Sequence, residues 1–171
     1  MGSPGFSSIG QTMNDPQAAY RFQLTAACAK IKPAASWFDW IAILSVVNAV
    51  ISLGNGGFGF LLGLGVTSIA NGMAARGQIT PVVSLVMTAA AAGFFWLMGW
   101  YTKKGQKWAL IVGMLLYALD GAVLLTTPVQ PWLMIGFHVY ALVMLARALP
   151  AITAFEAVKA DAQAHGVILD Q

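Results

Sequence analysis

Residues 54–78 read GNGGFGFLLGLGVTSIANGMAARGQ, a glycine-rich, apolar run that carries no charge before Arg76. How this run meets a bilayer decides the topology of the whole chain. If residues 57–75 cross completely, the chain has five spans, and the basic residues near its N-terminus and in KKGQK (103–107) fall on opposite sides. If the run dips in and returns, there are four spans, and Arg21, Lys30, Lys32, Lys103, Lys104, Lys107 and Arg147 share one face. Positive charge concentrates on the cytoplasmic side. The rule favours four spans with both termini cytoplasmic and leaves Arg76 on the wrong face. Backbone that is not helical at membrane depth must be satisfied by protein or water, so a re-entrant element has to pack inside the bundle. Glycines at 54, 56, 57, 59, 63 and 65 make that approach feasible.

The bilayer itself is read from composition. Of 171 residues, 58% are hydrophobic and 9% charged, whereas soluble domains carry about 25% charged residues. Apolar runs recur near the length that crosses a hydrocarbon core of about 30 Å at about 1.5 Å per residue. They are residues 37–53, 81–101, 108–127 and 131–149. Ser36 is a plausible cap for the first, with Trp37 and Trp40 as interfacial anchors. Pro81 opens the second, which closes on the aromatics of FFWLMGWY. The last two are joined by the sharp turn TTPVQP.

The expected fold is therefore an all-α membrane protein: a bundle of four transmembrane helices with a glycine-rich re-entrant, or fifth spanning, segment. Its parts are a polar N-terminal surface segment (1–36), the bundle (37–149) and a cytoplasmic tail (150–171). Asp15 and Pro16 read as a cap and first position of a short surface helix, with Pro33 as a break. The first residues resemble neither a signal peptide nor a myristoylation signal. No internal repeat supports an inverted-repeat transporter within one chain.

The run KKGQKWALIVGMLLYALDG, together with LGNGGFGFLLGLGVTSIANGMA, resembles a group of small bacterial multi-span membrane proteins with no established activity. The resemblance covers residues 37–147. It implies a bacterial inner membrane and says nothing about chemistry.

One residue in GMLLYALDGAVLLTT (113–127) needs a reason. Asp120 lies about nine residues before the middle of the TTPVQP turn and His138 about nine after it. In an antiparallel hairpin both then sit at one depth, roughly 13 Å from the turn. A carboxylate at a helix centre costs about 2.5–3.5 kcal/mol to insert, which the Leu, Ile and Val residues of the same span offset. The helix inserts, and the carboxylate still wants a partner. His138 is in reach, with Tyr117 on the same helical face. The pair reads either as a proton-binding site or as an interhelical tie.

A second signal is periodic. Ser45, Asn48, Ser52 and Asn55 recur at steps of three and four, on one face of the first span. Thr67, Ser68 and Asn71, with Ser84 and Thr88, extend this into a polar seam, read either as packing or as the lining of a hydrated path. Asp39, flanked by Trp37 and Trp40, reads as interfacial.

Other chemistry finds little support. The lone Cys28 makes no internal disulfide and no Cys-based zinc site. A Ser68–His138 dyad lacks a nucleophile elbow. Haem ligation would rest on His138 alone. No cofactor and no enzymatic activity are expected. The nine basic residues sit at the ends of apolar runs, where they orient spans rather than bind nucleic acid. Expected partners are the lipid bilayer and other membrane subunits or further copies of the chain. Two functions stay open. The first, which the small size and the lack of a soluble domain and of a convincing catalytic set favour, is an accessory or assembly subunit of a larger membrane complex. The other is an oligomeric channel or proton-coupled carrier built on Asp120 and His138.

Overall fold

The computed structural model describes residues 16–54, 64–126 and 132–167. Every regular element among them is a helix: α1 (Pro16–Gly54), α2 (Gly65–Ala75), α3 (Pro81–Lys103), α4 (Lys107–Leu124), α5 (Trp132–Ala146) and α6 (Ala148–Ala164). Four are long and apolar enough to cross a membrane: α1, α3, α4 and the α5–α6 rod, which runs on through Arg147. Among the described residues the glycine-rich segment supplies no fifth. Its described part, α2, has 11 residues, about 16 Å, or half the hydrocarbon core. Residues 55–63, and Asn55 among them, lie outside the described part, as does the centre of the TTPVQP turn.

The break expected at Pro33 does not occur. Instead α1 runs unbroken for 39 residues with Pro33 inside it. A helical proline removes one N–H from the ladder and frees the carbonyl four residues back. Here Ala29 and Pro33 are both exposed, while Ile31, Ala34, Ala35 and Phe38 on the opposite face are buried. Packing on that face holds the helix together across the proline. Ser36 is consequently no cap. Its hydroxyl donates to the carbonyl of Lys32, one turn back, at 2.9 Å. The two terminal segments meet each other: α1 packs against α6, and the Tyr20 hydroxyl donates to Asp161 at 2.7 Å.

Neighbouring spans run antiparallel, and glycines set how closely they meet. Phe38 on α1 is fully buried, between Gly99 on α3 and Gly113 on α4. A Cβ added at Gly99 would stand 3.0 Å from Phe38 Cβ, and one at Gly113 would stand 2.5 Å from its Cζ. Small residues are how membrane helices approach closely enough for dispersion to hold them. Around Phe38 the core continues through Phe95, Met98, Leu110, Tyr117 and Ile152. The α3–α4 turn needs Gly105, whose φ of 78° is left-handed and therefore costly for any other residue.

At that same end Lys103 on α3 forms an ion pair with Asp39 on α1. Asp39 thus sits well inside its helix with a cross-helix cation, rather than at a helix start. Trp40 is exposed as an anchor would be, whereas Trp37 packs edge-on against Tyr140.

Candidate functional site

The start of α2 is where the unusual residues converge. A helix begins with N–H groups that have no partner within it, and in a bilayer interior an unsatisfied one costs several kcal/mol. Leu64 and Gly65 are buried in the bundle. Three successive N–H groups are nevertheless taken by side chains of other helices. Leu64 N–H donates to Ser45 Oγ at 3.0 Å. Gly65 N–H donates to Asp120 Oδ2 at 2.6 Å, and Val66 N–H donates to Asp120 Oδ1 at 2.8 Å. Locally, the Thr67 hydroxyl donates back to the Leu64 carbonyl at 2.8 Å. A carboxylate opposite a helix N-terminus also meets the positive end of the macrodipole, about half an elementary charge. Asp120 is the cap of a helix 55 residues away.

His138 completes the cluster. Its Nε2 lies 2.8 Å from Asp120 Oδ2, and its Nδ1 lies 2.8 Å from the carbonyl of Met134. A carbonyl only accepts, so Nδ1 carries a hydrogen and donates. The other contact then holds one proton in either limit. An ionised Asp120 accepts from an imidazolium Nε2–H, or a protonated Asp120 donates to a bare Nε2. Side-chain exposures of 3% and 7% put this proton out of direct reach of solvent. Tyr117 covers the imidazole face, its ring stacked at a centroid distance of 4.4 Å and an interplanar angle of 11°. Gly121 makes room on the same helix, since a Cβ there would come within 3.0 Å of His138 Cδ2.

The structure thus brings together Asp120, His138 and Tyr117, as counting from the turn predicts. What counting from the turn misses is that Asp120 spends two of its three bonds on backbone. Gly65, Val66 and Leu64 belong to the site through main-chain N–H groups, and the one signal in the sequence is glycine density, which does not say where a helix starts.

The polar seam forms as well. Ser45, Asn48 and Asn71 are buried, together with Thr67, Ser84 and Thr88, while Ser52 is half-buried near the end of α1. Asn48 Nδ2 donates to Ser68 Oγ at 3.2 Å, and Ser84 Oγ donates to Asn71 Oδ1 at 2.7 Å. Each asparagine uses one end of its amide: Asn48 Oδ1, Asn71 Nδ2, Thr88 Oγ1 and the Tyr117 hydroxyl have no partner among the described residues. Ser68 turns its hydroxyl to Asn48 and the Leu64 carbonyl, and His138 is committed to Asp120 and Met134, so the two form no dyad.

No protein-family model, curated protein or solved structure matches the chain. Its functional reading rests on the arrangement of its own side chains.

Proposed function

We propose that this chain is a small channel or proton-coupled carrier of a bacterial inner membrane, working as an oligomer, with Asp120 and His138 as its titrating pair. The observation that carries the reading is mechanical. The carboxylate that shares a proton with His138 is also the anchor of a half-membrane helix. With one proton between Oδ2 and Nε2, both carboxylate oxygens remain free to accept from Gly65 and Val66. A second proton sets a carboxylic acid against an imidazolium, donor against donor. Loss of the proton sets lone pair against lone pair. Either change drives apart Asp120 and His138, and Asp120 also holds the N-terminus of α2, which carries Ser68 and Asn71, one member of each side-chain bond in the polar seam. Proton occupancy is thereby linked to the geometry of a polar path, the kind of two-state element through which an ion couples to a membrane protein. The basic residues Arg21, Lys30, Lys32, Lys103, Lys104, Lys107 and Arg147 support cytoplasmic termini.

The test is collapse of an imposed pH gradient across liposomes containing the purified chain. Wild-type vesicles should lose the gradient faster than protein-free vesicles, and Asp120→Asn should abolish the difference. His138→Gln, which keeps a hydrogen-bonding side chain, should reduce it with the fold intact. Wild-type vesicles that hold the gradient as long as protein-free ones overturn the reading. The accessory-subunit alternative would then gain weight if native mass analysis in mild detergent found the chain bound stoichiometrically to other proteins.

A further inference from the structure

The Asp120–His138 pair divides the bundle into two unlike halves. Along α4, about 20 Å of helix separates Asp120 from Lys107, and about 6 Å separates it from the opposite end at Leu124. The half on the lysine side is packed with rings. Phe38, Phe95, Met98, Leu110 and Tyr117 fill it, with the Phe38 and Phe95 centroids 6.1 Å apart and those of Phe95 and Tyr117 5.8 Å apart. Gly99 and Gly113 bring two helices hard against Phe38. The buried Thr102 hydroxyl of this half is spent on the Met98 carbonyl at 2.7 Å. Letting water in from the lysines would mean parting α1, α3 and α4 around these side chains and wetting their apolar surface.

The other half is covered by α2, which starts beside Asp120 and leads through residues 76–80 into Pro81. The buried residues of α2 are Gly65, Thr67, Ala70 and Asn71, while Val66, Ile69 and Met73 are exposed. Within α2, then, no side chain larger than asparagine is buried, and Leu64 just before it adds one large apolar contact. Apolar area does little to hold this helix. Hydrogen bonds hold it instead: Leu64 N–H to Ser45, Gly65 and Val66 N–H to Asp120, Asn48 to Ser68, and Ser84 to Asn71. Water can stand in for every one of these partners, so exchanging them for water costs little net. No water compensates a wetted phenylalanine. We infer that α2 is a movable cover: when it lifts, water reaches Asp120 and His138 from the Pro81 end, and the ring layer keeps them closed to the lysine end. This rests on the reading of the pair as titrating and assigns the side that supplies its proton.

The experiment is sided cysteine labelling of the full chain in a Cys28→Ala background, with a small charged methanethiosulfonate on spheroplasts and on inverted vesicles. Gln78→Cys and Lys104→Cys mark the two sides. Thr67 is 1% exposed and Met98 4%, so a cysteine at either position reacts only if its surroundings open. Thr67→Cys should react from the side that labels position 78, more slowly than position 78 itself, and Met98→Cys from neither side. Asp120→Asn, which unties α2 without touching the ring layer, should speed the Thr67→Cys reaction about tenfold, the equivalent of one charge-assisted hydrogen bond. Ser45→Ala, which frees only the Leu64 N–H, should speed it about threefold and stays readable if Asp120→Asn does not fold. A Thr67→Cys chain that is silent from both sides, or that labels from the side of position 104, overturns the inference. So does Met98→Cys labelled from that side, or a Thr67→Cys rate that neither variant changes. If labelling fails while vesicles still lose their pH gradient in an Asp120-dependent way, the cover has failed alone. If Thr67→Cys labels as expected and the vesicles hold their gradient, α2 opens as inferred and the proposed function has failed alone.

Discussion

The Asp120 carboxylate and the Gly65 amide meet at 2.6 Å although 55 residues separate them, and this contact fixes where the half-helix α2 begins. Removing the carboxylate strips partners from two buried N–H groups and from His138 at once. Breaking a buried, hydrogen-bonded pair by deleting one member costs about 3–5 kcal/mol. Asp120→Ala should lose stability of that order in denaturant titration in detergent. Asp120→Asn should lose less, since its amide oxygen still accepts one bond. Hydrogen exchange at Gly65 and Val66 should accelerate in both variants, ahead of exchange in α3. Unchanged protection at those two amides would refute the capping role.

Helix spacing gives a second prediction. A Cβ at Gly113 would fall 2.5 Å from the ring of Phe38, which cannot retreat because it is fully buried against Phe95 and Met98. Overpacking of this kind costs about 1–3 kcal/mol. Gly113→Ala should destabilise by that amount, and Phe38→Leu in the same chain should recover part of it, a coupling that a double-mutant cycle measures. Gly136→Ala, where an added Cβ meets nothing within 4 Å, should be close to neutral. Equal effects at the two glycines would mean that helix propensity, not packing, decides them.

What the sequence made legible follows from which forces are local. Span length and apolar composition fix α3, α4 and α5, because insertion depends on residue type alone. The Asp120–His138 pairing was legible because a short turn between antiparallel helices converts residue counting into depth. The seam was legible as far as periodicity reaches, through Ser45 and Asn48 on α1. Pro33 misled because its local penalty is outweighed by the buried face of Ile31, Ala35 and Phe38, a long-range contact. The anchoring of α2 was hidden because its donors are backbone amides, and any residue type presents those. Asp39 pairing with Lys103 likewise depends on a register that only the packed α1 and α3 define.

Topology yields a third prediction. With four spans, Cys28, Lys104 and Gln163 belong to one face and Gln78 to the other. Cys28 is the single cysteine, so Cys28→Ala gives a clean background for cysteines placed singly at 78, 104 and 163. A membrane-impermeant thiol reagent added to intact spheroplasts should label position 78 alone, and it should label the other two only after the membrane is opened. Labelling of the native Cys28, in the unsubstituted chain, from the same side as position 78 would mean that residues 57–75 cross the bilayer as a fifth span.

The last prediction separates stability from passage. The Tyr117 hydroxyl is fully buried without a hydrogen-bond partner among the described residues, while the Tyr117 ring stacks on His138 and meets Phe95 edge-on at 5.8 Å. Tyr117→Phe keeps both ring contacts and removes a hydroxyl whose burial costs about 1–3 kcal/mol when unpaired. The hydroxyl bonds neither Asp120 nor His138, so the proton-bearing pair keeps its contacts without it. Tyr117→Phe should therefore gain stability and leave collapse of the pH gradient unchanged. Tyr117→Leu, which also removes the stack, should lose stability instead, by about 1 kcal/mol beyond its lost area for an aromatic pair. A Tyr117→Phe variant that is both less stable and slower would show that the hydroxyl has a bonded partner, and its role would be to hold the site together.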